Sequence, residues 1–251
     1  MNISDVINSY DTISLEEMGR VRLMNRIDSK YVTTIDRVVE LLRLASDEFM
    51  IQQIDGELNM PYYTRYYDTE DVDMFYQHQR GKKTRQKVRV RVYEGGDTLP
   101  FLEIKSKNNR GRCNKKRVAM DSGTEPIGYS DFLRRHIGYK PDSLIPQIEN
   151  HFYRITLVNK GMSERITIDT NLEFHNLLTD KRVSLDNIAI IEWKRDGLRG
   201  ESRLGTLLRD LRIHPSGFSK YCVGMAVTNP TLKQNRLKAK LKKIDRLNTA
   251  N

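Results

Sequence analysis

Two cysteines, one tryptophan and no long apolar run in 251 residues already remove several classes of protein. Cys113 and Cys222 form no CxxC pair and need not meet. Two thiols in a chain without a secretory signal fit a reducing, cytoplasmic setting. Nothing approaches the ~18 apolar residues that a membrane-spanning helix requires. The opening segment, MNISDVINSYDTISLEEM, has neither the basic nor the apolar region of a signal peptide. The five histidines are not paired at metal or general-base spacing. No internal repeat or low-complexity linker divides the chain, which leaves one domain over 1–230 and a basic tail over 231–251. Hydrophobic residues make up 38% and mean hydropathy is −0.63, too polar for a membrane protein yet sufficient for a core.

Positive charge is plentiful, and its distribution is uneven. The net charge is +10, but residues 80–117 alone hold fourteen Lys and Arg against three acids. Residues 231–251 hold seven against one. The remainder is mildly acidic, so two basic concentrations ride on an acidic scaffold, a pattern that suggests an anionic partner.

Periodicity predicts a mixed chain. Glu17 follows Ser14 at capping-box spacing, and Asn25–Val32 looks extended. Asp36–Phe49 has the spacing of an amphipathic helix. Short β-rich runs follow at Tyr62–Asp68, Lys87–Tyr93, Pro100–Lys107 and Lys115–Met120, with turn signals at Glu94–Asp97 and Asn108–Gly111. A helix around Ser130–Ile137 precedes further strands at His151–Val158, Arg165–Thr170 and Asn187–Lys194. Helices are predicted over Ser202–Leu211 and Phe218–Val227. The tail spaces Leu232, Leu237, Leu241, Ile244 and Leu247 as a partly docked amphipathic helix. Its contact with an acidic membrane surface stays open.

Side chains alternate along a strand, so each run sorts into two rows. Val88, Val90 and Val92 oppose Arg89 and Arg91. Leu102 and Ile104 oppose Glu103, Lys105 and Lys107. Lys115 shares a face with Arg117, Arg154 opposes Tyr153 and Ile155, and Arg165 and Asp169 oppose two isoleucines. Glu192 and Lys194 oppose Ile191 and Trp193. Antiparallel sheets usually have one wet face, which explains any single strand. Six cationic rows together would repel unless a polyanion lay between them. A closed sheet with charged rows inside and apolar rows against helices satisfies the pattern, and arginine suits the lining because its planar fork grips phosphate oxygens. Glu103 and Glu192 each stand in an E-x-K pattern. Each is either an ion-pair partner or a ligand for Mg2+ or Mn2+.

In this order the motifs resemble a known family. Arg26-Ile-Asp-Ser-Lys30-Tyr31, Tyr66-Tyr67-Asp68-Thr69, Arg89-Val-Arg91, Leu102-Glu103-Ile-Lys105, Lys115-Lys-Arg117 and the terminal Phe218-Ser-Lys220-Tyr-x-x-Gly224 block carry the likeness, with Tyr153-Arg154, Arg165 to Asp169 and Glu192-Trp-Lys194 between them. From about Arg22 to Met225 the chain resembles the VTC domain, the polyphosphate-polymerase domain of the vacuolar transporter chaperone complex. That domain lies within the triphosphate tunnel metalloenzyme (CYTH-like) superfamily.

The resemblance implies an α+β fold, an eight-stranded antiparallel β-barrel braced by helices. It implies Arg89, Arg91, Lys30 and Arg165 as catalytic cations, and Arg26, Lys105, Lys115, Arg117, Arg154, Lys194 and Lys220 as substrate ligands. Glu192 and Glu103 are the implied metal ligands for Mn2+ or Mg2+. ATP or another triphosphate and inorganic polyphosphate are the implied partners. The implied reaction moves the γ-phosphate to a polyphosphate or phosphate acceptor; tripolyphosphate or nucleoside triphosphate hydrolysis and non-catalytic polyphosphate binding are the alternatives. A specific nucleic-acid partner is not expected, because the cations alternate with apolar residues in strands. Two departures stand out. Hydrolytic relatives open with E-x-E-x-K, whereas Arg26-Ile-Asp28-Ser-Lys30 replaces a carboxylate with arginine. Gly217 stands where the family carries a basic residue three positions before the helix lysine. The oligomeric state is not assigned.

Overall fold

The computed structural model describes residues 2–19, 21, 26–94, 99–110, 112–121, 123, 125–196 and 202–249. Of the expected turn signals, 95–97 and 111 lie outside the described residues, as does the side chain of Arg26. Local signals set the first elements. Asn2 and Ser14 head α1 (Ile3–Ile7) and α2 (Leu15–Met18) with reciprocal capping boxes, the second through Glu17 as expected. Between them lies β1 (Thr12–Ser14). After β2 (Arg26–Thr34), α3 (Ile35–Ala45) buries Val38, Leu41, Leu42 and Ala45 on one stripe. The helix stops at Ala45 rather than Phe49. From Phe49 burial alternates with a strand period, and Phe49–Gln53 forms β3.

The order continues with β4 (Asn59–Asp68), α4 (Asp73–Gln79), β5 (Arg85–Tyr93), β6 (Phe101–Lys107) and β7 (Cys113–Ala119). Next come α5 (Ser130–His136), β8 (Ile145–Asn159), β9 (Glu164–Asn176), β10 (Arg182–Leu185) and β11 (Ile188–Asp196). Then α6 (Arg203–Asp210), α7 (Lys220–Thr228) and α8 (Lys238–Asn248) complete it. Eight strands run in the order β2-β11-β9-β8-β4-β5-β6-β7, and every ladder along that path is antiparallel. The sheet is a curled half-barrel: β2 and β7 end the path, and no ladder joins them among the described residues. β10 extends β9, and β3 pairs antiparallel with β8 and parallel with β1.

The outer face of the sheet carries two cores. Ile155, Leu157, Ile166, Ile168, Ala189, Ile191 and Trp193 pack under α1, α3 and α6. Val88, Val90, Leu102 and Ile104 pack with Met74 of α4 and Leu133 of α5. The inner face is apolar in one region only. There Val32, Tyr62, Tyr66, Ile148, Phe152, Leu172, Phe174, Ile188 and Ile190 bury α7, and Leu237 and Ile244 dock the tail helix α8 onto the same core. The rest of the inner face is polar.

A bulge makes that division. Tyr153 pairs with Thr170 and His151 with Glu173, so β9 carries an extra residue, and Asn171 adopts φ 50° there. Arg165, Thr167 and Asp169 face inward before it, and Leu172 and Phe174 after it. One strand thereby supplies both the polar site and the apolar seat for α7.

Candidate functional site

Register gathers the candidate residues onto one face. Glu192 lies opposite Lys30 on β2 and Thr167 on β9, and Lys194 opposite Asp28 and Arg165. Arg154 pairs with Asp169, Thr64 with Arg91, and Tyr66 with Arg89. Glu103 lies opposite both Arg89 and Arg117, and Lys105 opposite both Lys87 and Lys115. Strand alternation puts all of these on the inner side. Lys220 joins them from the first turn of α7.

Three carboxylates divide the cations into groups. Glu103 accepts from Arg89 Nε and Nη2 at 2.8 and 2.6 Å and from Lys115 Nζ at 2.6 Å. Asp169 accepts from Arg154 Nε and Nη2 at 2.6 and 2.8 Å, and also from Lys220. Glu192 meets Lys30 at 2.8 Å and Lys194 at 2.6 Å. Each of these three acids is therefore shared by two cations, which hold it ionised: Glu103 is drawn down to about 2, and Asp169 and Glu192 lie well below the ordinary carboxylate range. Lys220 is pushed down to about 7, first by burial and then by Arg154 and Arg91, against the pull of Asp169.

Arg91 has no such partner. It is 8% exposed, its Nε is buried without a hydrogen bond, and no carboxylate pairs with it among the described residues. Burial, Arg89 and Arg154 together lower it to about 10, against the pull of the nearby Glu103 charge. Thr64 Oγ1, Thr167 Oγ1 and Asn150 Oδ1, on the same face, are likewise buried and unpaired. Beneath them lies an aromatic floor. Tyr62 and Phe152 stack at 5.2 Å; Arg91 and Arg154 lie over Tyr62 at 5.4 and 5.0 Å, and Lys220 over Phe152 at 3.9 Å.

The connection before α7 spans the concavity. Ser216 N donates to Lys30 O at 2.7 Å on β2, and Lys87 Nζ of β5 donates to Ser219 Oγ at 2.7 Å. Ser219 also caps α7 by accepting from Cys222 N. The Tyr221 hydroxyl donates to Asp68, which further accepts from the backbone N–H groups of Met74 and Phe75. Gly224 lets α7 touch the sheet: a Cβ there would lie 2.5 Å from Phe174 and 2.7 Å from Ile148. The Phe218–Gly224 block is thus a cap, an ion-pair donor, a latch and a contact surface in seven residues.

The VTC domain family model matches residues 25–125 and 136–229, the stretch that builds both the sheet and α7. The chain belongs to the VTC domain family. No curated protein matches it. Among solved structures it is similar to the putative adenylyl cyclase HpAC1 from Hippeastrum, which is reported to reveal a dominant triphosphatase activity. That likeness has a TM-score of 0.50 at 15% identity and covers 83% of this chain and 99% of that one. It is also similar to the PH1819 protein from Pyrococcus horikoshii OT3, with a TM-score of 0.45 at 14% identity, covering 80% of this chain and 98% of that one. At such identities the likeness to HpAC1 speaks for the fold, the triphosphate tunnel fold.

Several features of this VTC domain escaped the sequence. Asp169 was visible only as part of a motif, and the Tyr62–Phe152 floor was not visible at all. Gly217 departs from the family pattern, yet a Cβ on it would lie 3.8 Å from Lys240 Nζ, so the tail helix delivers an ammonium beside that position.

The two candidate metal ligands differ. Lys194 Nζ touches both Glu192 at 2.6 Å and Asp28 at 3.0 Å, so two carboxylates converge where a cation already sits, a donor set that suits a hard divalent ion. Both Glu103 oxygens face Arg89 or Lys115, and the residue is 2% exposed. No group of three or more metal-binding side chains occurs among the described residues. Substrate phosphates and water would complete the shell of a Mg2+ ion at Glu192.

Proposed function

We propose that this VTC domain is a polyphosphate polymerase-like phosphotransferase, passing the γ-phosphate of a nucleoside triphosphate to a polyphosphate or phosphate acceptor along the inner face. The carrying observation is Arg91, a nearly buried guanidinium in contact with no carboxylate among the described residues, while the buried acids beside it, Glu103 and Asp169, are each already shared by two other cations. A buried unpaired charge is costly, and a phosphate oxygen would offset that cost.

Phosphoryl transfer depends mainly on positioning and charge neutralisation, so the absence of a nucleophile–histidine pair in the reading of the sequence fits it. Arg89, Arg91, Lys30 and Arg165 stabilise the oxygens of the transferring group. Lys105, Lys115, Arg117, Arg154, Lys194 and Lys220, with Arg26 by its place in the motif, hold the remaining phosphates. Glu192 with Asp28 would hold Mn2+ or Mg2+, which would supply neutralisation of phosphate charge when bound. Glu103 keeps Arg89 and Lys115 aligned across β5, β6 and β7.

The test is incubation with ATP and Mn2+, with products separated on a gel. Chain growth in the native protein and its loss in Arg91→Ala and Glu192→Ala are expected. Phosphate release without chain growth would instead assign hydrolysis, and native activity in both variants would overturn the site.

A further inference from the structure

Between α4 and the tail lies a second basic cleft of about 430 Å3, lined by Tyr76, Gln79, Arg80, Lys233, Asn235 and Arg236. Two guanidinium groups and an ammonium share it, and no carboxylate lines it. Arg236 is held close by the bare surface of Gly81: a Cβ at that residue, whose φ is +70°, would lie 2.7 Å from Arg236 Nη1. Arg80 lies 6.0 Å over the Tyr76 ring. Gln79, one of the lining residues, is 7% exposed, and both its amide nitrogen and its amide oxygen are buried without a hydrogen-bond partner. A buried primary amide with neither end satisfied costs stability unless something in the cleft completes it.

We infer that this cleft binds a phosphate-bearing small molecule, at a site whose lining shares no residue with the Arg91 site. Arginine forks grip phosphate oxygens in pairs, Lys233 adds a point charge, and an oxygen-rich guest is the chemistry that three cations and the N–H groups of the Gln79 amide have in common. The size lies within the range of small-molecule pockets. The inference does not depend on the proposed reaction.

Calorimetric titration of pyrophosphate and of ADP into the full chain carrying Arg91→Ala tests it, because that substitution weakens the inner face. Binding that falls at least about tenfold in Arg236→Glu and in Lys233→Glu is expected; both residues are exposed, so folding is not at stake. Equal affinities for the two probes would assign recognition to phosphate alone, and tighter ADP would add a nucleoside contact; both outcomes support the site. Absent binding, or binding indifferent to Arg236→Glu and Lys233→Glu, would overturn it.

Discussion

The Tyr221 hydroxyl donates to Asp68 at 2.5 Å, joining α7 to the end of β4 across 153 residues of sequence. Asp68 is fully buried and also holds the first turn of α4 through the N–H groups of Met74 and Phe75, each at 2.9 Å. Tyr221→Phe removes one donor from a buried carboxylate and should cost about 1.5–3 kcal/mol. Asp68→Ala strips the partner from Tyr221, from the backbone N–H groups of Met74 and Phe75, and from Thr69, and should cost more. Urea midpoints measure both, and an unchanged midpoint for Tyr221→Phe would show that the latch contributes nothing to stability.

Arg91 should trade stability for binding. Burial and the nearby charges of Arg89 and Arg154 disfavour it in the folded protein. Arg91→Met keeps the packing over Tyr62 and removes the repulsion, so the urea midpoint should rise or hold. Tripolyphosphate affinity should fall at least about tenfold, the loss expected when a charged hydrogen bond disappears. A variant that is less stable yet binds normally would contradict both halves.

Much of this site was legible in alternation. Val88, Val90 and Val92 against Arg89 and Arg91 gave the correct faces of β5, because a strand buried on one side must alternate. Alternation fails beyond Thr170 for a physical reason. The bulge at Asn171 switches parity, so Ile166 and Ile168 face outward whereas Leu172 and Phe174 face inward, and no single alternation spans β9. The contact of Asp169 with Lys220, 51 residues on, depends on how α7 seats, and spacing carries no trace of it. Lys240 beside Gly217 is the same case: a residue missing in one segment is approached by a side chain from another, which only packing reveals.

Lys220 should make phosphate binding sensitive to pH near neutrality. Burial lowers it to about 7, so its charge, and with it one contact to an anion, is present below that pH and lost as pH rises through it. For stability the sign is opposite. The unfolded chain holds this proton up to about 10.5, so folding gains stability as pH rises from about 7 towards that value. Tripolyphosphate affinity should therefore fall several-fold between about pH 6 and 8. Lys220→Arg, charged throughout, should flatten that step, and Lys220→Met should lower affinity at every pH. A step that persists in Lys220→Met belongs to another group.

Gly224 offers a test in which propensity and packing oppose each other. Replacing a glycine inside a helix with alanine ordinarily stabilises it by about 1 kcal/mol. Here the added Cβ would stand 2.5 Å from Phe174 Cδ1 and 2.7 Å from Ile148 Cδ1, and both side chains are fully packed against the sheet. Gly224→Ala must push α7 outward and should cost about 1–3 kcal/mol. Lys220 sits one turn before Gly224 on the same helix, so the same displacement draws its ammonium from Asp169 and should weaken tripolyphosphate binding. Phe174→Leu, which shortens the obstructing ring, should recover part of both losses in the Gly224→Ala background. A Gly224→Ala protein with a raised urea midpoint and native affinity would mean that α7 has room to spare and that the close approach positions nothing.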